Sequence, residues 1–525
     1  MIRLANIKIP ANLGDGGLEK AAARALGVDA GTVGQIRILR RSVDARKKPR
    51  VFYLYTLAVE VRDEKRLLER GFEPWTEPAP YAFPGEGKRP EKPVVVVGMG
   101  PAGLFAAYCL TEAGVPCVLL ERGQCVERRR QDVDRFWQTG ALDEGSNVQF
   151  GEGGAGTFSD GKLATGIRDG RIPFVLDSFV KFGAPADIRY LAPPHVGTDH
   201  LCRVVANMRR ALLSGGCEIR FGTKLTGITI RDGRVTAVTC SGQTGTETLS
   251  ADHVILAPGN SARDTFRMLR EAGVKLTKKN FSVGVRIEHL QKDVDLAQYG
   301  QAATLGTLPA SGYKLAVHLP TGRSAYTFCV CPGGQVIAAA SQKGGVVTNG
   351  MSLYARDGEN CAGGLLVGVT PADFEEDVLA GAAFQDELER RAFLAGGSDY
   401  RAPAQLVGDF LARRASVGPG RVKPTYRPGV TWCDLWQVLP DFVCQTLAEA
   451  LPEMEKKIRG FADPDAVLTA VESRSSSPVR IDREDFQAVG IRGLYPCGEG
   501  AGYAGGITSA AVDGIRCAEA VYANL

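Results

Sequence analysis

At 525 residues the chain exceeds what one compact core accommodates, and about 150 residues per domain suggests roughly three domains. With 44% hydrophobic and 23% charged residues it can bury sizeable cores, which excludes a disordered or low-complexity protein. The 63 basic residues nearly cancel the 59 acidic ones, so the net charge of +4 gives no global field that by itself implies nucleic acid.

The amino-terminal MIRLANIKIPANLGDGG lacks a basic segment followed by an apolar run, and no stretch approaches the roughly eighteen successive apolar residues of a membrane span. The expectation is a soluble, cytoplasmic protein with no membrane partner. Thirteen scattered cysteines without a CxxC fit reduced thiols better than a disulfide framework.

Residues 1 to about 70 read as a small α/β unit. Strand-like LANIKI precedes a helix over Gly17–Leu26 with Leu18, Ala22, Ala25 and Leu26 on one face. Strand-like runs follow at Gln35–Leu39 and Val51–Val61. The turn between them, RRSVDARKKPR, holds six basic residues. Such a run is ordinarily a solvated hairpin tip, and its alternative is a phosphate-backbone contact that leaves RNA binding through residues 1–70 open. From Gly71 to Pro93 the chain is rich in Pro and Gly and without periodicity, which makes it an interdomain connection with a boundary near residue 88.

A complete dinucleotide-binding unit comes next. Val94–Val97 is a short β-branched run, as in a parallel strand buried on both faces. It runs into GxGxxG at Gly98, Gly100 and Gly103, where Pro101 and Ala102 open an apolar helix. The glycines allow a tight turn, close approach to a pyrophosphate and close helix–strand packing, and the helix amides favour an anion. A second strand, Cys117–Leu120, ends in Glu121 beside Arg122, 18 residues beyond Gly103, where a carboxylate reaches ribose hydroxyls. Strand, glycines, helix, strand and acid in register indicate an adenine dinucleotide.

The glycine-dense NVQFGEGGAGTFSDGKLATG also matches GxGxxG at Gly151, Gly153 and Gly156, but no apolar strand precedes it. Gly153, Gly154, Gly156, Thr157, Ser159 and Lys162 therefore read as a loop wrapped around phosphate, ribityl or flavin ring. Further on, Cys217–Phe221 and Leu225–Ile230 alternate like strands, and Val254–Ala257 is an apolar strand ending at Pro258 and Gly259. This last run resembles the strand-then-ATG pattern of two-dinucleotide-binding-domain flavoproteins, with Pro in place of Thr. That likeness places Ala257 and Gly259 along the cofactor and Lys224 and Leu225 near adenine.

At the carboxyl end, Gly493–Glu499 resembles the GxxxxGD ribityl-binding motif of FAD enzymes, with Glu499 replacing Asp after Gly498. Gly505 and Gly506 then precede a helix over Ile507–Tyr522, and with Ile507 and Thr508 they would turn amides toward the pyrimidine edge of the isoalloxazine. With LAPPHVGTDHL and AVESRSSSPVRI also present, the chain from residue 93 onward resembles a largely uncharacterised bacterial FAD-dependent dehydrogenase family within the glutathione-reductase-like flavoprotein superfamily.

The resemblance implies non-covalent FAD on a Rossmann-like domain interrupted by a substrate domain. The expected fold is α/β: a small N-terminal α/β domain plus linker over 1–88, a discontinuous FAD-binding domain over 89–275 and 472–525, and an inserted α+β substrate or cap domain over 276–471. The insertion carries strand-like FSVGVRIEHL, YKLAVHLP, AYTFCV and QVIAAAS, then helical DFEEDVLAGAAFQDELERRAFLAGG and FVCQTLAEALPEMEKKIRGF.

Since flavin supplies the redox chemistry, candidate substrate contacts are polar groups rather than a triad. Arg474 and Arg480 flank SRSSSPVR and would either grip a carboxylate or phosphate or pair with Glu472 and Asp482. His195 would either transfer a proton or sit beside a helix beginning near His200 and capped by Thr198 or Asp199. Cys329 and Cys331 stand too close in sequence for a strain-free disulfide, and these two and Cys497 read as buried thiols. No His/Cys cluster has metal-ligand spacing. Without a redox cysteine pair or a second strand-coupled GxGxxG, a glutathione-reductase mechanism is disfavoured, while transient NAD(P)H docking stays open. The expectation is an FAD-dependent oxidoreductase for a small, anionic molecule. Its alternatives are a flavoprotein acting on RNA and a flavin-loaded regulator. Substrate, catalytic residues and oligomeric state are not legible.

Overall fold

The computed structural model describes residues 1–243 and 245–525. At the amino end β1 (Ile2–Pro10), α1 (Leu18–Leu26), β2 (Val33–Lys47), β3 (Arg50–Val61), α2 (Glu64–Glu69) and β4 (Glu73–Pro74) form an antiparallel sheet in the order β2-β3-β1-β4. Helix α1 packs Ala22 and Leu26 into a core with Ile2, Leu57 and Val59. The basic turn is shorter than the sequence suggests. Arg40–Lys47 continue β2 opposite β3, with bulges at Ile38/Arg40 and Asp44/Lys47, so that only Lys48 and Pro49 turn the chain. An edge strand tolerates such charges because one of its sides faces water. Arg46 to Arg50 are exposed at the tip, but Arg41 is a docking point. Its amide donates to the Tyr190 carbonyl (2.7 Å), its carbonyl accepts from Ala192 (2.9 Å) and its guanidinium meets Asp15 (3.2 Å).

The connection after β4 runs without regular structure to residue 93 and is tied to the far end of the chain, where the Tyr81 hydroxyl donates to Glu519 (2.6 Å) and the Lys88 ammonium to the Tyr522 carbonyl (3.0 Å). It leads into β5 (Val94–Val97), α3 (Pro101–Glu112), β6 (Cys117–Leu120), α4 (Val126–Thr139), α5 (Ile172–Lys181), α6 (Gly197–Ser214) and β7 (Glu218–Arg220). An antiparallel meander follows, β8 (Lys224–Arg231), β9 (Arg234–Gly242) and β10 (Gly245–Ser250), and then β11 (Val254–Leu256) and α7 (Arg263–Glu271).

Strands β12 (Leu276–Lys278), β13 (Phe281–Leu290), β14 (Ala316–His318), β15 (Ser324–Ala338), β16 (Thr348–Met351), β17 (Asn360–Val369), β18 (Ala402–Leu406), β19 (Val430–Trp432) and β20 (Val467–Glu472) come next. All except β12 belong to one eight-stranded, mostly antiparallel sheet. Helices α8 (Gln291–Tyr299), α9 (Ala380–Gly396), α10 (Val407–Leu411) and α11 (Asp441–Lys457) are set between these strands. The run AYTFCV and the start of QVIAAAS, as far as Ala338, read separately in the sequence, are one strand, β15, kinked by register shifts at Phe328/Cys331 and Cys331/Gly334. The chain closes with β21 (Val479–Ile481), which pairs with β12, then β22 (Arg483–Glu484), β23 (Gln487–Ala488), β24 (Leu494–Pro496) and α12 (Ile507–Ala523).

Residues from both sides of the large sheet build one parallel sheet in the order β24-β11-β5-β6-β7. Beyond β5 the chain adds β6 and β7 on one side and then β11 and β24 on the other. The strand order therefore reverses at the carboxyl end of β5, the place where open parallel sheets bind ligands. Helix α3 is buried from Ala102 through Thr111, as a helix sandwiched between the sheet and a second helix must be. The second helix is α12. Among the described residues, no helix is long and apolar enough to cross a membrane.

Glycine sets two approaches here. A Cβ on Gly103 would lie 1.9 Å from the Gly98 carbonyl oxygen, and one on Gly514 would lie 2.0 Å from the Ala102 carbonyl oxygen, so α3 can neither lift off β5 nor separate from α12. In an open helix Gly514→Ala would gain about 1 kcal/mol of helix propensity, whereas forcing a methyl into a packed contact costs about 1–3 kcal/mol. The clash is with backbone and should win. Gly514→Ala is expected to lower the denaturant midpoint in an unfolding titration, and an unchanged or higher midpoint contradicts this packing.

Candidate functional site

A cavity of about 510 Å³ opens at the carboxyl end of β5 and is walled by the GxGxxG turn, the glycine loop of residues 149–164, the Ala257–Ser261 turn, strand β15 and the Cys497–Ile507 segment. Its most telling feature is the pair of helix starts. Helices α3 and α12 both begin on it, with Gly100 and Gly506 as N-caps and no side chain capping either. First-turn amides of a helix have no intrahelical acceptor, so Ala102, Gly103, Ile507 and Thr508 turn N–H groups and positive helix ends to this region. A long ligand with one anionic stretch and one electron-rich ring edge fits that arrangement.

Most residues expected from the sequence line the cavity: Gly98, Gly100, Pro101 and Ala102; Glu121 and Arg122; Gly154, Gly156, Ser159 and Lys162; Leu225, Ala257 and Gly259; and Gly498, Glu499, Gly505, Gly506 and Ile507. Gly103 lies behind the wall and serves helix–strand packing. Gly153, Thr157, Lys224 and Thr508 also fall outside the lining. The Thr157 hydroxyl donates to the Glu152 carbonyl (3.3 Å), that of Thr508 to the Leu163 carbonyl (2.7 Å), and the Lys224 ammonium sits 3.2 Å from Asp264. These are short side chains engaged by their own loops and a lysine drawn outward by a carboxylate.

At the β6 end the buried Glu121 carboxylate accepts amide hydrogens from Met99 (2.7 Å), Gly123 (2.8 Å) and Gly151 (3.0 Å), so it ties together the turns it borders. Arg122 donates to Asp264 (2.9 Å) and lies over the Phe150 ring (4.2 Å). At the other end Glu499 accepts from the Asn260 amide (2.8 Å). Burial pushes its carboxyl up to about 7, against the opposing pull of the Gly506 amide and Lys279.

One buried guanidinium and two buried ion pairs were not legible in the sequence. Arg129, fully buried on α4, donates to the carbonyls of Asn147 (2.8 Å), Val148 (2.9 Å), Glu152 (2.6 Å) and Gly154 (2.9 Å) and so fixes the glycine loop. Burial draws its guanidinium down to about 10. Arg286 and Glu472 form a buried pair at 2.5 Å, with Glu472 on the cavity wall, and the carboxylate keeps the guanidinium charged. Asp160, also buried, receives two hydrogen bonds from Arg356 (3.0 and 2.6 Å) and one from Ser352 (2.5 Å). No local sequence signal points to these partners.

The candidate chemistry-bearing residues are rearranged. Arg474 lines the cavity, but it is engaged by Glu389 on α9 (2.8 and 2.6 Å), Ser341 (2.5 Å) and Gln342 (2.8 Å), not by Glu472. Arg480 is exposed outside the cavity over Tyr503 (5.5 Å), and Asp482 bonds to Thr277 (2.8 Å) instead. His195 lies outside the lining. Its Nε2 is 3.0 Å from the Tyr354 carbonyl and its ring stacks on Tyr354, while burial lowers its pKa. The following helix begins at Gly197 with no side-chain cap, because Thr198 donates to the Thr157 carbonyl (2.6 Å) and Asp199 accepts from the Tyr354 amide (3.0 Å). Cys331 and Cys497 are buried as expected, but Cys329 is half-buried on the cavity wall. Cys497, Asp513 and Cys517 lie within 4.8 Å of one another, yet Asp513 is taken by Arg483 (3.0 and 2.6 Å) and the Gly498 amide (2.7 Å), which makes the cluster a guanidinium seat.

Two outcomes follow from this charge arrangement. Arg474→Met leaves Glu389 buried without its cation and is expected to destabilise the protein by about 3–5 kcal/mol in denaturant titrations; an effect confined to substrate affinity would instead mark Arg474 as a substrate contact. For Glu499 the folded pKa near 7 lies above the unfolded value, so the folded state binds the extra proton and stability falls as pH rises through that window. In cofactor-free protein Glu499→Gln should therefore gain on the wild type between about pH 5 and about pH 8, and a constant difference in unfolding midpoint across that range would contradict the shift.

Comparison with known proteins agrees with this geometry. Residues 280–475 match a family model described as FAD-dependent protein, C-terminal domain-like, residues 91–132 match an FAD binding domain and residues 1–60 a domain of unknown function. An uncharacterised protein of Clostridium beijerinckii is 43% identical over 527 residues, covering 99% of this chain and 98% of that protein. Among solved structures, NikD, an unusual amino acid oxidase essential for nikkomycin biosynthesis, is 14% identical over 82% of this chain and 94% of its own, with a TM-score of 0.35. Thermovibrio ammonificans THI4 is 18% identical, covering 35% of this chain and 63% of that one, with a TM-score of 0.24. The near-complete relative and the FAD-related models that flank the cavity place the chain in an uncharacterised family of FAD-dependent proteins, with FAD as its cofactor.

Proposed function

We propose that the protein is an FAD-dependent oxidoreductase that exchanges a hydride between non-covalently held FAD and a small molecule admitted at the β15 side of the cavity. The observation that carries this reading is the pair of uncapped helix N-termini, from opposite ends of the chain, opening on one elongated cavity. In this reading Glu121, Arg122 and Leu225 surround the adenosine. The amides of Ala102 and Gly103, with Gly154 of the facing loop, receive the pyrophosphate. Glu499 accepts from a ribityl hydroxyl, and the amides of Ile507 and Thr508 stabilise negative charge at the ring edge. When bound, FAD supplies the two-electron chemistry, so the protein's task is to orient, enclose and discriminate.

The proposed organisation is a discontinuous Rossmann-like FAD-binding domain, residues 89–275 and 472–525, with residues 276–471 inserted as an α+β cap and residues 1–88 as a separate N-terminal unit. Support comes from the parallel sheet, which takes strands from both sides of the insertion, and from the eight-stranded sheet, whose strands lie between residues 281 and 472. The substrate would lie against Tyr326, Phe328 and Asn349, which the large sheet contributes to the cavity wall.

The purified protein is expected to be yellow with one FAD per chain, to bleach anaerobically with NADH, NADPH or a member of a metabolite panel, and to recolour in air. Flavin that stays oxidised with every donor would contradict the oxidoreductase reading and leave a flavin-loaded regulator.

A further inference from the structure

The cavity wall contributed by the large sheet carries one polar group whose orientation is forced and whose donors are unused. Asn349 stands on β16 opposite Ile337 of β15, half-buried between the buried Thr348 and Gly350, and lines the cavity. Its side-chain oxygen accepts from the Arg286 guanidinium (2.8 Å) and from the Gly350 amide (2.8 Å). A guanidinium and a backbone amide can only donate, so the oxygen has to face them and the NH2 group has to face away. Among the described residues that NH2 group meets no acceptor within hydrogen-bond distance. Arg286 is itself fully buried and held by Glu472 (2.9 Å) and the Cys329 carbonyl (2.9 Å), so it fixes Asn349 and does not reach a ligand.

The charges around this wall do not cancel. Glu472 is matched by Arg286, and Arg474 by Glu389. Asp160, by contrast, is shared by two cations. Arg356 holds it with two hydrogen bonds (3.0 and 2.6 Å), and the enclosed Lys162 ammonium lies 3.1 Å from it without a well-directed hydrogen bond. One positive charge is therefore in excess, and in a site of low dielectric it acts over several ångström without touching its counterpart. The other carboxylates of the cavity, Glu121 and Glu499, are engaged by backbone amides and by Asn260. Tyr326 and Phe328 give the wall aromatic surface, the Tyr326 hydroxyl being used on Ser282 (2.7 Å).

We propose that this wall is a carboxylate subsite and that the substrate is a small carboxylic acid with an apolar or aromatic side group. The Asn349 NH2 group donates to a carboxylate oxygen, the excess positive charge shared by Lys162 and Arg356 balances the anion, and Tyr326 and Phe328 take the apolar part. Asn349 is then the specificity-determining contact and Arg286 the residue that positions it. An ammonium at this point would meet only donors and a like charge, so the wall discriminates by repulsion as well as by attraction. The inference rests on the reading of this cavity as the flavin and substrate site.

The test is equilibrium dialysis of the flavin-loaded protein against radiolabelled benzoate, with benzylamine as a cation of similar size. Benzoate should bind saturably and benzylamine should not. Asn349→Asp keeps an oxygen for Arg286 while replacing the donors by an acceptor, and should weaken benzoate binding by at least about tenfold, as for a lost hydrogen bond to a charged group. Lys162→Met leaves Asp160 paired with Arg356 and should weaken benzoate binding by about tenfold through loss of the excess charge. Failure of benzoate to bind, equal binding of benzylamine, or unchanged benzoate affinity in Asn349→Asp or Lys162→Met would each overturn the proposal. If one variant does not fold, the other decides. A protein that takes up no FAD would count against the flavin reading alone, since dialysis counts benzoate directly.

Discussion

The crossing of α3 and α12 is the constraint on which the rest of the structure depends. The two helices come from opposite ends of the chain, and backbone approaches within a methyl's width of Gly514. That closeness brings two helix N-termini to one cavity at the point where the parallel sheet reverses its strand order. Each terminus presents amides with no intrahelical acceptor, and neither is capped by a side chain. Leaving such donors to a ligand makes local sense only where the ligand is anionic at one end and gains charge at the other, as a flavin dinucleotide does during reduction.

The remaining walls are set by polar groups that hold backbone. Arg129 gathers four carbonyls of the glycine loop, Glu121 gathers three amides of three different turns, and Arg286 anchors the kink in β15. A glycine-dense loop loses much conformational entropy on ordering, so a buried guanidinium with four acceptors is a reasonable way to give it one shape. The same logic places the large sheet: the Arg474–Glu389 pair joins the segment after β20 to α9 at the cavity's edge. The cavity is thereby shaped by long-range charge pairing as well as by the nucleotide-binding turn.

What the sequence revealed and what it concealed divide along a physical line. The first nucleotide-binding unit and the carboxyl-terminal segment were legible because their geometry is imposed by glycine and by local hydrogen bonding over about 30 residues. The ion pairs were not, because their partners lie 85 residues apart for Arg474 and Glu389, 186 for Arg286 and Glu472, and 196 for Arg356 and Asp160. His195 misleads for a related reason. PPHVGTDH has the composition of a reactive loop, yet its polar groups are used to dock Tyr354 and the Thr157 loop. The sequence reads Cys329 as a buried thiol, whereas it is half-buried on the cavity wall beside a register shift that depends on β17, a partner strand more than 30 residues away.

The central claim is that one FAD molecule spans the cavity from the Glu121 turn to the start of α12. A crystal structure of the FAD-saturated protein tests it most directly. The account predicts density for the pyrophosphate against the Ala102 and Gly103 amides and for the pyrimidine edge of the ring against those of Ile507 and Thr508. Density for FAD outside this cavity, or with the ring at the Glu121 end, would contradict it.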